Sequence, residues 1–160
     1  MAVELLRVDD RLVHGQVVEG WVPELKINEI AVISDEIFSD EIRKSIMRFS
    51  VPENVNLIFL KVEEAAENLE VKQEDGSLRV LALFSNLKDA YETLKKMKTV
   101  KTLNIGGIHY SAGKNFSLGK AIFLSEEDCF NLRKIDELGV KIEGRGVPHD
   151  KPSDILQSIK

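Results

Sequence analysis

"RVLALFSNLKDAYETLKKMKTVKTLNIGG" occupies residues 79–107 and reads as strand, helix, strand. The runs "RVLALFS" (79–85) and "KTLNIGG" (101–107) are short and nearly continuously apolar, the mark of strands covered on both faces. Between them Leu87, Tyr91, Leu94 and Met97 recur at spacings of three and four, which predicts a helix within 86–100. A helix linking two strands of one sheet makes those strands parallel, with a right-handed crossover.

The same alternation extends in both directions. Further apolar runs are "VELLRV" (3–8), "EIAVIS" (29–34), "NVNLIFLK" (54–61), "KAIFLS" (120–125) and "VKIEG" (140–144). "SDEIRKSIMRFS" (39–50) sets Ile42, Ile46 and Phe49 on one side of a helix. "SEEDCFNLRKIDELG" (125–139) opens with a serine and an acid three residues later, a capping box, and closes on a glycine suited to a left-handed cap. The expected fold is therefore α/β: a single three-layer domain over 1–160, with a mainly parallel central sheet of about seven strands and helices on both faces. "IHYSAGKNFSLG" (108–119) is too short and glycine-rich for a helix, so the strand after it is expected to pair antiparallel at an edge. "VKQEDGSL" (71–78) reads as a surface loop, and "VPHDKPSD" (147–154) as a crossing to a short last helix.

Composition narrows the function. The 160 residues are 43% hydrophobic and 31% charged, an ordinary soluble balance. A net charge of −5 argues against nucleic acid as a partner. No run reaches the roughly 18 apolar residues that cross a bilayer, and "MAVELLRVDD" lacks the segments of a signal peptide. Cys129 stands alone, so neither an internal disulfide nor a cysteine zinc cluster is expected. The expectation is a cytoplasmic protein.

"RVDDRLVHGQ" (7–16) crowds Arg7, Asp9, Asp10, Arg11 and His14 at the end of the first strand, before a helix starting near Gly15. Ligands of open α/β sheets bind beyond the carboxyl ends of the strands. Helix amides, the planar fork of Arg11 and a glycine that lets the backbone approach all suit a phosphoryl group. An imidazole is mostly neutral near pH 7, and its free lone pair can attack phosphorus. The aspartates repel phosphate; their expected work is to hold Arg7 and Arg11 and to fix the imidazole tautomer. Arg7, within the strand, is either a buried pairing residue or a ligand contact. Two competing readings are a divalent-metal site on Asp9, Asp10 and His14, which the arginines disfavour, and a purely structural histidine.

Other motifs say less. "GIHYSAGKN" fails as a phosphate loop: five or six residues, not four, precede Gly113-Lys114, and Asn115 stands where Ser or Thr is needed. No dinucleotide fingerprint follows any strand, and no cofactor is expected. His109 and Lys114 follow the fifth run and are candidates to line the pocket; Ser34 and Asp35 read as turn formers, His149 as solvated and Trp21 as core.

"RVDDRLVHGQV", "AVISDEI", "LALFSNLKDA" and "LNIGGIHYSAGK" together resemble the IIB component of the mannose/fructose/sorbose family of the phosphoenolpyruvate-dependent sugar phosphotransferase system. The resemblance runs from about residue 4 to the carboxyl end. It implies that His14, through Nδ1, accepts a phosphoryl group from a IIA phosphohistidine and transfers it to a sugar bound by the IIC/IID membrane permease. It also implies that Arg11 contacts the phosphoryl group, that Asp9 or Asp10 supports the loop, and that neither metal nor nucleotide takes part. A regulatory phosphoprotein without a permease is the alternative, and apolar residues near Trp21 would support a homodimer. Since docking proteins must cover the loop, a shallow convex site is expected.

Overall fold

The computed structural model describes residues 1–159. Its core is a seven-stranded sheet in the order β3-β2-β4-β1-β5-β8-β9. The strands are β1 (Val3–Asp9), β2 (Glu29–Ile33), β3 (Asn56–Leu60), β4 (Val80–Phe84), β5 (Thr102–Gly107), β8 (Lys141–Gly144) and β9 (Ser153–Asp154). All neighbours pair in parallel except β9, which runs antiparallel to β8. The α/β class and the mainly parallel sheet are as expected. The runs were nearly continuous because both faces are buried: Val80 through Phe84 are each fully covered.

Alternate residues of each strand feed two apolar layers. Leu6, Val8, Ala82 and Phe84 pack against Leu69, Leu87, Leu94, Leu132 and Ile135. These belong to α4 (Val62–Lys72), α5 (Leu87–Leu94) and α6 (Glu126–Glu137). Leu81, Leu83, Ile30 and Val32 pack against Val17, Trp21 and Met47 on the other face. That second layer comprises a π-helical segment Gln16–Trp21 leading into α1 (Val22–Glu24), then α2 (Asp35–Phe38) and α3 (Glu41–Ser50). The α6 capping box is present, with the Ser125 side chain accepting from Asp128 N–H at 3.0 Å, and Gly139 supplies the left-handed cap at φ 85°. A last helix, α7 (Ile155–Ile159), closes the chain.

Three expectations need correction. The 120–125 run does not join the main sheet: β7 (Ile122–Leu124) pairs antiparallel with β6 (Phe116–Leu118) in a separate two-stranded ribbon, and the seventh sheet strand is the two-residue β9. Ile122 and Leu124 instead plug one apolar layer. Helix α4 includes the first two residues of the supposed loop at 71–78; its buried side is only Ala65, Ala66 and Leu69, a weak apolar signal. Helix α3 exists, but Ile42, Ile46 and Phe49 face solvent while Met47 and Lys44 are buried.

Strands β2 to β4 build one side of β1, and β5 onward the other. The carboxyl end of β1 thus lies where the winding of the sheet reverses, the usual address of a site in such folds.

Candidate functional site

At Asp9 the chain turns sharply out of β1. Asp10 N–H donates to the Gly107 carbonyl at 3.0 Å, and Leu12 N–H donates to the Asp9 carbonyl at 2.9 Å. Leu12 takes a left-handed conformation, φ 59°, which costs a non-glycine residue about 1–2 kcal/mol. Its side chain is buried in the layer with Val17 and Trp21, and that burial offsets the strain. The turn returns His14 over the strand end.

The Asp9 carboxylate is the hub. It is wholly buried; Oδ2 accepts from His14 at 2.7 Å and from Arg7 Nη2 at 3.0 Å, while Oδ1 accepts the Arg11 backbone N–H at 3.1 Å. Burial by itself raises the Asp9 pKa. The His14 hydrogen bond, the charge of Arg7 and the Arg11 amide outweigh it, so the carboxyl sits below its ordinary value. An ionised carboxylate only accepts hydrogen bonds, so His14 Nε2 carries the hydrogen and the lone pair sits on Nδ1. Nδ1 has no hydrogen-bond partner among the described residues. The His14 side chain keeps 13% of its surface exposed.

Arg7 is a brace inside the fold. Its guanidinium is fully buried, and Nη1 donates to Asn104 Oδ1 at 2.7 Å and to the Arg145 carbonyl at 2.9 Å. Nη2 donates to the Gly146 carbonyl at 3.0 Å as well as to Asp9. Desolvation lowers the Arg7 pKa, with the Asp9 charge opposing. Of the two readings open for Arg7, this is the buried pairing one. The guanidinium lies across Gly106, where a Cβ would come 2.0 Å from Nη2. Trp21, buried as expected, donates its indole N–H to the same Gly146 carbonyl at 3.0 Å.

Arg11 faces outward with 46% of its side chain exposed. Nη2 donates to Gln16 Oε1 at 3.2 Å, and Nε lies 3.8 Å from Asp9 Oδ1, so the fork is steadied beside His14. The helix starts at Gln16 with Gly15 as its cap, in ordinary helical geometry with open space beside its Cα. Gly15 leaves room here rather than supplying an unusual backbone angle.

Arg11, His14, Gly15, Glu19, Pro148 and His149 line an open groove of about 800 Å³. The expected convex surface is thus a groove, because residues 147–149 form a second wall opposite the helix. Asp10 turns away from His14: it accepts the His109 backbone N–H and pairs with His109 Nδ1, both at 2.6 Å. That clamp ties the loop after β5 to the site turn, and His109 lines a neighbouring hollow of about 590 Å³ beyond Arg11 and Gln16. Lys114 is held by Asp128 and lines neither hollow. Ser34 and Asp35 are turn formers: Ser34 caps α2, and Asp35 accepts the Val62 N–H at 2.9 Å. Asn104, Gly106, Arg145 and Gly146 escape a sequence reading, since they serve Arg7 across the sheet; the adjacent pair Gly106-Gly107 is the one local sign of a close approach.

Among the described residues, no group of three or more His, Cys, Asp or Glu side chains is disposed to hold a metal ion. Nor is any described helix long and apolar enough to cross a membrane.

The chain matches the family described as "PTS system sorbose subfamily IIB component" over residues 3–160. It is 35% identical over 161 residues to the sorbose-specific EIIB component of Lacticaseibacillus casei, covering 99% of this chain and 96% of that protein. The mannose-specific EIIAB component of Escherichia coli (strain K12) is 30% identical over 162 residues, 99% of this chain but 50% of that longer protein. Among solved structures, the IIBSor domain of the sorbose permease from Klebsiella pneumoniae superposes with a TM-score of 0.90 at 33% identity, covering 99% of this chain and 96% of that one. Curated relatives named for particular sugars do not favour a purely regulatory reading. By sequence and by fold alike, this chain belongs to the sorbose subfamily of IIB components of the sugar phosphotransferase system.

Proposed function

We propose that His14 is the phosphoryl carrier of this IIB component and that the chain, residues 1–160, works as one such domain. The observation that carries the proposal is the 2.7 Å bond between His14 Nε2 and Asp9 Oδ2, which leaves Nδ1 as the free nucleophile at the edge of an open groove. In the first transfer, the Nδ1 lone pair forms a bond to phosphorus as the nitrogen–phosphorus bond of a IIA phosphohistidine breaks. The hydrogen stays on Nε2, and the ring's gained positive charge is balanced by Asp9. In the second, a hydroxyl of a sugar held by the IIC/IID permease attacks phosphorus, the His14 bond breaks, and its electron pair returns to Nδ1. The sugar's proton leaves to a base on the permease side.

Arg11 supplies the fork that steadies the moving phosphoryl oxygens, an electrostatic and positioning role suited to a reaction with little other covalent chemistry. Asp9 fixes the tautomer, Arg7 holds Asp9, Asp10 clamps the neighbouring loop, and Gly15 leaves space for the donor. No cofactor or metal has a part in these steps. The fused EIIAB arrangement of the Escherichia coli relative supports a IIA protein as donor. The working place is the cytoplasmic face of the membrane, against the permease.

The test is a peptide map after incubation with phosphorylated IIA. Label is expected on the peptide holding His14, in acid-labile linkage. His14→Ala should keep its circular dichroism and take up none. Uptake by that variant would make another residue the carrier.

A further inference from the structure

Two consecutive aspartates at the end of β1 each hold an imidazole, and they hold opposite nitrogens. Asp9 takes His14 Nε2 and leaves Nδ1 free. Asp10 takes His109 Nδ1 at 2.6 Å and leaves Nε2 without a partner among the described residues. This second imidazole is fixed although its side chain is 60% exposed. The His109 backbone N–H donates to the other Asp10 oxygen at 2.6 Å. On one side Ile108 donates its N–H to the Ala121 carbonyl and accepts the Phe123 N–H at its own, both at 2.9 Å. On the other, the Tyr110 ring stands edge-on to Phe123 at 5.8 Å between centroids. A neutral imidazole that gives its Nδ1 hydrogen to a carboxylate carries its lone pair on Nε2, as a nucleophile must.

The surroundings fit a small dianion. His109 shares its hollow of about 590 Å³ with Arg11, Lys120 and Lys151. Both lysines are exposed, and neither is ion-paired among the described residues. The one other carboxylate lining the hollow, Asp150, accepts the Val147 N–H at 3.2 Å. Residues 118–122 wall one side and residues 144–151 another, and His109 does not line the groove in which His14 meets its partners.

We infer that His109 Nε2 is a second phosphoryl-acceptor site, loaded by a small acyl phosphate and not by a partner protein. The Nε2 lone pair forms a bond to phosphorus as the bond from phosphorus to the bridging oxygen breaks, and the carboxylate departs with that electron pair. The hydrogen stays on Nδ1, and Asp10 balances the positive charge that the ring gains. Lys120 and Lys151 draw in the dianion and steady its oxygens. An acyl phosphate is the fitting donor class because its leaving carboxylate needs no proton from the protein, whereas the alkoxide of a sugar phosphate would. The assignment stands apart from the role proposed for His14, since donor, hollow and reacting nitrogen all differ.

The test uses the full chain carrying His14→Ala, with His14→Gln as a second background, incubated with radiolabelled acetyl phosphate. A single acid-labile, alkali-stable label is expected on the peptide that spans residue 109, recovered as the Nε2 isomer after alkaline digestion. Adding His109→Gln should remove it. Exchanging Lys120 and Lys151 together for glutamate, both at exposed positions, should slow labelling about tenfold or more. No label on either His14 variant overturns the inference. So does label that survives His109→Gln, label found on Nδ1, a rate indifferent to the two lysines, or label that these chains take from phosphorylated IIA and not from acetyl phosphate.

Discussion

Replacing Asp9 with Asn separates the two jobs assigned to its carboxylate. The side chain keeps its shape, but the buried Arg7 guanidinium loses the one carboxylate within ion-pair distance of it among the described residues. Breaking a buried pair from one side costs about 3–5 kcal/mol. Against a typical total of about 5–15 kcal/mol, the variant stays folded. With the amide oxygen kept on the Arg11 N–H, the amide nitrogen takes the place of Oδ2 and is a donor towards both Arg7 and His14, so Nε2 must accept and the hydrogen moves to Nδ1. The reacting nitrogen then has no lone pair to offer, and by analogy with other carboxylate-to-amide changes behind a histidine, transfer should fall about 10³–10⁴-fold. Urea unfolding measures the first loss, and single-turnover uptake from phosphorylated IIA measures the second. Uptake within about tenfold of wild type would refute the tautomer argument. A stability change below about 1 kcal/mol would refute the ion-pair argument. The pH dependence carries a sign. Burial pushes Asp9 up, but the His14 hydrogen bond and the Arg7 charge more than reverse this, so its folded pKa lies below the unfolded one. Its stabilisation is therefore complete above the ordinary carboxyl range, about pH 4, and is lost as pH falls below that towards the folded value. The gap between wild type and variant should narrow there.

Arg11→Lys keeps the charge and loses the planar fork; with the side chain already 46% exposed, stability should hold while transfer from IIA slows about tenfold or more in the same uptake assay. Gly106→Ala puts a Cβ 2.0 Å from Arg7 Nη2, and overpacking of this kind should cost at least about 1–3 kcal/mol in urea unfolding and slow uptake by shifting Arg7 off Asp9. Trp21→Phe removes the indole bond to the Gly146 carbonyl; it should lower stability by about 1 kcal/mol and speed amide exchange at 145–147, with unchanged exchange counting against the role given to that bond.

The parallel strands were legible because burial on both faces writes one apolar run per strand, and "RVLALFS" is the clearest case. The site turn was legible because its ionisable groups are adjacent in the chain. What could not be read is what lies across the sheet. Nothing in "RVDD" says that Arg7 points inward to carbonyls at 145 and 146, and nothing in "IEGRGV" announces that those carbonyls are taken. Helix α3 is the sharper lesson. A stripe at i, i+4 and i+7 states that one side of a helix is apolar, and leaves open whether the chain's own sheet or something outside it covers that side. Here Met47 and the buried Lys44, packed over the Phe38 and Phe59 rings, fill the inner position. Helix α4 is the converse: small alanines pack closely against the sheet but raise little pattern.

The Arg7 brace also sets a timetable for synthesis. Two of its acceptors lie 138 and 139 residues downstream, so the guanidinium beside Asp9 has no complete set of partners until nearly all of the chain has left the ribosome. A nascent or proteolytically clipped polypeptide ending before Arg145 would display the whole "DDRLVHG" segment with its imidazole unanchored. Such a fragment should take up phosphate from phosphorylated IIA more slowly than the intact chain does.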